Sequence, residues 1–293
     1  MDKKRSSEFA ILSALILFLV LTGIEICLKL FFKEGVPVWG MYIYAIAQIV
    51  LLLIPSLILQ KKQALPAKRF FQLRPFKAKW LPATLLGALC ASVGAALINL
   101  LLYSLPFAHI FKSSSVSVIE EGGTFAVFLA FVLVPALFEE LYIHGALLSG
   151  LKNKGILWSV GICALIFAML HSSAANFLGP LFAAVVYGFL TVVYQSVWPA
   201  VIAHLINNFV ADYAVVLIEK YINIGMNGYV IFIATVILLL SIWGLASLLL
   251  KQLKNVRVSV GEPEPLDKRF PISLGVFILL WAVKIALDIV NII

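Results

Sequence analysis

Uninterrupted apolar runs of about twenty residues recur along the chain, and that length decides the fold class. A helix needs about 20 apolar residues to cross the hydrocarbon core of a bilayer, where only helices and closed barrels satisfy every backbone polar group. Such runs lie near 9–32, 38–59, 81–105, 125–149, 156–178, 180–195, 199–218, 229–250 and 271–292. The alternating period of a barrel strand is absent. Composition agrees: 63% of the 293 residues are hydrophobic and 12% charged, against roughly 45–50% and about 25% in a soluble domain. The sequence predicts an all-α, polytopic transmembrane helix bundle of about nine spans. The sixth run is short and the seventh polar, so those two are expected to be tilted, interrupted or only partly spanning.

Lys and Arg set the orientation. Lys3, Lys4 and Arg5 precede the first run, and Lys61, Lys62, Lys68, Arg69, Arg74, Lys77 and Lys79 fill the second connection. Lys152 and Lys154 separate runs four and five; Lys251, Lys254, Arg257, Lys268 and Arg269 separate eight and nine. If nine spans alternate, these positions all fall on one side, which the positive-inside rule makes cytoplasmic, with the N-terminus there too. The net charge of +8 is thereby explained by topology, and no nucleic-acid partner is implied. Cys27, Cys90 and Cys163 all sit inside apolar runs, so neither a disulfide framework nor a paired-cysteine zinc motif is readable.

Ionisable groups inside a span cost about 2.5–3.5 kcal/mol each on insertion scales and mark function by default. Two sets admit a structural explanation. Glu25 and Lys29, and again Lys284 and Asp288, stand four residues apart, where opposite charges neutralise each other on one helix face. The remainder gather in runs four, five and seven. Run four holds Glu139, Glu140 and His144; run five holds Phe167 and His171; run seven holds His204, Asn207, Asn208 and Asp212. Adjacent carboxylates point about 100° apart on a helix, so Glu140 shares a face with His144 while Glu139 looks elsewhere. His204 and Asn208 also share a face.

These groups suit hydrolysis. A carboxylate beside an imidazole can activate water directly as a base or by holding a metal. A histidine with an amide one turn away can donate hydrogen bonds to an oxyanion. No cofactor is required by the first route; zinc is the metal suggested by the second, with Glu139, His171 and His204 as its ligands.

In type, spacing and order, Glu139-Glu140, Phe167…His171 and His204…Asn208 resemble the CAAX-prenyl-protease and bacteriocin-processing (CPBP, or Abi) family of intramembrane proteases. The resemblance covers about residues 120–220. It implies that Glu139 and His171 activate water, that Glu140 is a supporting carboxylate, and that His204 and Asn208 position or stabilise the oxyanion. His144, Phe167 and Asn207 are then supporting residues. One position departs from the pattern: the family's Arg is His144 here, a side chain that is not permanently charged. The implied organisation is a three-helix region over 1–120, a CPBP-like catalytic core of four helices over 121–220, and a two-helix region over 221–293.

The function expected is that of a multi-pass intramembrane endopeptidase of a bacterial cell membrane, working within the lipid bilayer on a small peptide or membrane-protein substrate. Two alternatives stand beside it: a catalytically inactive relative acting as a membrane scaffold or regulator, and an ion- or proton-coupled transporter. The charge pattern makes a direct prediction. Reporter fusions near residues 70 and 260 will report the cytoplasm and fusions near 115 and 224 the opposite side; an external label reaching residues 60–80 in intact cells would refute that orientation.

Overall fold

A computed structural model of the chain describes residues 5–31, 38–105, 123–151, 155–214, 228–257 and 269–292. The connections 106–122, 215–227 and 258–268, on which part of the orientation argument falls, lie outside the described residues, as do Lys152, Lys154 and the Lys29 side chain. A helix occupies each of the nine apolar runs, and no strand occurs among the described residues. We label them α1 (Arg5–Phe31), α2 (Val38–Gln63), α3 (Leu81–Tyr103), α4 (Thr124–Leu151), α5 (Ile156–Leu170), α6 (Leu178–Tyr194), α7 (Trp198–Phe209), α8 (Gly228–Arg257) and α9 (Phe270–Ile292).

Six of these are long and apolar enough to cross a membrane: α1, α2, α3, α4, α8 and α9. At 1.5 Å per residue, the 15 and 17 residues of α5 and α6 fall short of the usual crossing length, while the 12 of α7 run on into the π-helical residues Val210–Ala214. Local chemistry explains two of the ends. Past α5, Ser172 adopts a left-handed φ of 52°, which ends the helix with His171 as its C-cap. Past α6, Gln195 does the same at φ 49°, and the chain turns at once into Pro199 in the first turn of α7.

The connection between α2 and α3 closes one end of the bundle. The Ser149 hydroxyl of α4 donates to the Phe70 carbonyl at 2.5 Å, and the Ser196 hydroxyl donates to the Arg74 carbonyl at 2.8 Å. The Val197 amide donates to the Gln72 carbonyl at 3.1 Å. The basic α2–α3 connection, the end of α4 and the α6–α7 turn thus share one face of the bundle, as alternating spans require.

Two cores meet around α5 and α6. One draws Phe18 from α1, Ile143 and Leu147 from α4, Ile166 from α5 and Phe277 from α9. The other joins Ala91 of α3, Tyr187 of α6, Ala203 of α7 and Leu245 of α8. Small residues let α3 lie against α6, as in membrane helix pairs generally. A Cβ on Gly94 would come within 2.2 Å of the Phe182 ring, and one on Gly87 within 2.8 Å of Leu190.

That contact is testable. Gly94→Ala will force the two helices apart and cost about 1–3 kcal/mol, read as a lower Tm in detergent. Gly161→Ala, where an added Cβ meets nothing within 4 Å, will leave Tm level or slightly raised.

Candidate active site

The backbone of α4 is irregular on both sides of the paired carboxylates. Residues Phe128–Leu133 and Leu141–Leu147 are π-helical, flanking a regular turn that carries Glu139 and Glu140. Pro135 is one cause. It has no N–H, so the carbonyls of Ala130 and Phe131, which it would otherwise serve in the π or α register, need donors from elsewhere. Side chains provide them: Gln48 Nε2 of α2 donates to the Ala130 carbonyl at 3.0 Å, and Asn208 Nδ2 of α7 to the Phe131 carbonyl at 3.0 Å. In the second wide segment the His144 carbonyl accepts from Gln72 Nε2 at 3.0 Å. Wide turns whose freed carbonyls are satisfied by neighbouring helices are tolerable inside a bilayer.

Glu140 is fully buried and stands at the centre of the polar cluster. Its Oε2 accepts from His144 Nδ1 at 2.6 Å, and its Oε1 accepts from His204 Nδ1 at 2.9 Å. Both imidazoles are themselves buried. Tyr187 of α6 stacks on His204, with ring centroids 5.1 Å apart and planes 18° from parallel. Phe167 meets the edges of both His171 and His204, at centroid distances of 4.8 and 5.6 Å.

Glu139 faces differently, as the helix geometry requires. Its side chain keeps 24% exposure, and its Oε2 lies 4.0 Å from His204 Nε2. That oxygen is buried and has no hydrogen-bond donor among the described residues. His171 Nδ1 donates to the Phe167 carbonyl at 2.9 Å. A carbonyl only accepts, so Nδ1 carries the proton and Nε2 keeps its lone pair in the neutral ring. Asn208 is fixed by its bond to the Phe131 carbonyl, and its Oδ1 accepts from Asn207 Nδ2 at 3.4 Å.

Glu139, Glu140, His144, Phe167, His171 and His204 therefore converge, with a different division of contacts. Glu140 and His144 pair as their four-residue spacing predicts. His204 bonds to Glu140 and faces Glu139, a link between α4 and α7 that no spacing within one helix could reveal. Among the described residues no group of three or more His, Cys, Asp and Glu side chains is arranged to hold a metal ion. Glu139, His171 and His204 are thus not presented as a ligand set. Sequence reasoning missed Gln48, Gln72 and Tyr187, which stand in α2, in the α2–α3 connection and in α6; for the two glutamines the hint was that amides inside or beside spans need partners.

Residues 121–210 match the profile of the Rce1-like family, described as type II CAAX prenyl endopeptidase Rce1-like. The match supports a CAAX-type intramembrane protease fold for this stretch. The match begins just ahead of α4 and ends after Asn208, so it encloses every side chain of the cluster, and it supports the CPBP resemblance. Neither a curated protein nor a solved structure gives a significant match to the chain.

The two carboxylates should separate on stability. Glu140→Ala leaves two buried imidazoles without their acceptor and will cost about 3–5 kcal/mol, as for a broken buried pair. Glu139→Ala removes no protein hydrogen bond and will cost about 1 kcal/mol or less. Thermal unfolding of the two variants in one detergent makes the comparison; equal losses would refute the assignment.

Proposed function

We propose that the chain is an intramembrane endopeptidase in which Glu139 and His171 activate water. The observation that carries this reading is the contrast between the paired carboxylates. Glu140 has both oxygens occupied by imidazoles, whereas Glu139 retains an oxygen with no donor among the described residues. A carboxylate oxygen of that kind is free to take a proton from water, and the Nε2 lone pair of His171 is a second acceptor. Water loses a proton to Glu139 as its oxygen bonds to the scissile carbonyl carbon. That proton then passes to the amide nitrogen as the C–N bond breaks, giving a new amine and a new carboxylic acid, which releases water's second proton to the new amine or to solvent as it ionises.

His204 and Asn208 are assigned to the oxyanion. The Nδ1–H of His204 is committed to Glu140, so its Nε2 donates only when the ring is an imidazolium, with Glu140 supplying the countercharge across 2.9 Å. Glu140 and His144 are in this reading supports for that charge. His144 stands where the family pattern has Arg and reaches the same carboxylate at 2.6 Å. Tyr187 and Phe167 wall the ring of His204 and limit its rotation. The substrate class suggested by the family description is a prenylated C-terminal tail; a small peptide precursor or a membrane protein would meet the same groups.

New N-termini in membranes from cells expressing the wild type, absent with Glu139→Ala, would reveal substrates, while a farnesylated C-terminal peptide tests the tail directly. Glu139→Ala and His171→Ala will each abolish cleavage with normal membrane insertion. Together they will cost little more than either alone, because groups acting as one unit are non-additive. Full activity in either single variant would refute the mechanism and favour the scaffold reading.

A further inference from the structure

The described ends of α1 and α9 lie outside the family match, yet they converge on the turn that ends α5. Lys284 of α9 is mostly buried, at 11% side-chain exposure, and pairs with Glu25 of α1 at 3.2 Å. It also pairs with Asp288 one turn along and donates to the backbone carbonyl of Ser172. Spacing along single helices accounts for the Lys284–Asp288 pair; the link to Glu25 runs between helices. Ser172 directly follows His171, holds φ 52° and is itself buried. A second contact fixes the far side of the same connection, where Trp281 of α9 packs on Phe177 with centroids 4.5 Å apart. Phe277 against Phe18, at 5.3 Å, ties α9 to α1 below this point.

We propose that Lys284 is a positioning residue for His171, acting through the Ser172 carbonyl. The reason is chemical. His171 is the last αR residue of its helix, held by its own Nδ1 bond and by weak, three-residue backbone bonds of the Ala168 and Met169 carbonyls. A left-handed, non-glycine residue next to it carries strain. An ammonium group on the Ser172 carbonyl, itself anchored by Glu25 and Asp288, fixes the peptide plane that sets where the helix stops. Charge-assisted bonds are the strong ones for such a task. The two acidic partners serve Lys284 by balancing its charge within the span; only the lysine touches the turn. The kinetic part of this inference rests on the protease reading, whereas the structural part does not.

The experiment uses the full chain in lipid nanodiscs and has two arms. In hydrogen–deuterium exchange, Lys284→Met will speed exchange over residues 171–177 about tenfold or more, with 134–151 and 198–209 unchanged. Unchanged exchange over 171–177, or equal acceleration everywhere, overturns the proposal. In the kinetic arm, with the farnesylated peptide or a substrate found by its new N-terminus, Lys284→Met will lower kcat about tenfold to a hundredfold, the range a small misplacement produces, with KM level. Lys284→Arg will restore kcat, because it still donates. The exchanged pair Glu25→Lys with Lys284→Glu keeps the ion pair but presents an acceptor to a carbonyl, and it will not restore kcat; recovery there would show that only the α1–α9 pairing matters and overturn the proposal. If the wild type cleaves nothing while the exchange arm gives the local result, the protease reading fails and the hold of Lys284 on the turn stands.

Discussion

One carboxylate held between two imidazoles in an apolar bundle is the interaction on which the rest of the arrangement depends. A lone buried charge of this kind is costly, several kcal/mol even after relaxation. Glu140 meets that cost with two nitrogen donors from different elements, His144 on its own helix and His204 on α7. The pairing fixes the rotation of α4 relative to α7. Because Glu139 is the next residue, that rotation also dictates where the second carboxylate points. The same interaction thus occupies both oxygens of one carboxylate and leaves an oxygen of the other without a donor among the described residues.

The packing around this centre is built to keep the helices at that rotation. Gln48 and Asn208 grip consecutive carbonyls of α4 from opposite neighbours, α2 and α7, and Gln72 grips a third from the connection below. Tyr187 stacks on His204 from α6. Gly188, next to it, leaves no room for change: a Cβ there would come within 2.8 Å of Val160 and 3.3 Å of His144 Nε2. Each contact joins the family-matched stretch to itself or to α2 and the connection after it, so the carboxylates and imidazoles of the cluster are located by several elements together.

The fold class and the membership of the polar cluster were legible in the sequence because both follow from rules that act along the chain. Twenty-residue apolar runs can only be helices in a bilayer, and intramembrane Glu, His and Asn stand out against them. Helical spacing also joined Glu140 to His144 correctly. What it could not give was any relation between helices. His204 shares a run with Asn208, and its tie to Glu140 appears only when α4 and α7 are side by side. Lys284 was satisfactorily explained by Asp288 within its own run, which concealed the partner on α1 and the carbonyl beside His171. Helix length was overestimated in run five, since apolar composition continues past the left-handed turn at Ser172, whereas run seven passes from α7 into the π-helical residues Val210–Ala214.

The wide turns of α4 carry a consequence for how such a chain can change over time. A π-helical turn amounts to one residue more than the α-helix would need over the same path. Two of them flank Glu139 and Glu140, so each acts as a register offset upstream or downstream of the carboxylates. Loss of a single residue within 128–133 is taken up by relaxing that stretch to a regular helix over the same path, with Glu139 and Glu140 facing as before. Loss of one residue from the regular stretch ahead of the carboxylates, 134–138, has no such reserve and turns them by about 100° relative to the helix before them. Glu140 would then leave the imidazoles, though every side chain of the cluster would remain in the sequence. A comparison by residue identity alone would not tell the two losses apart.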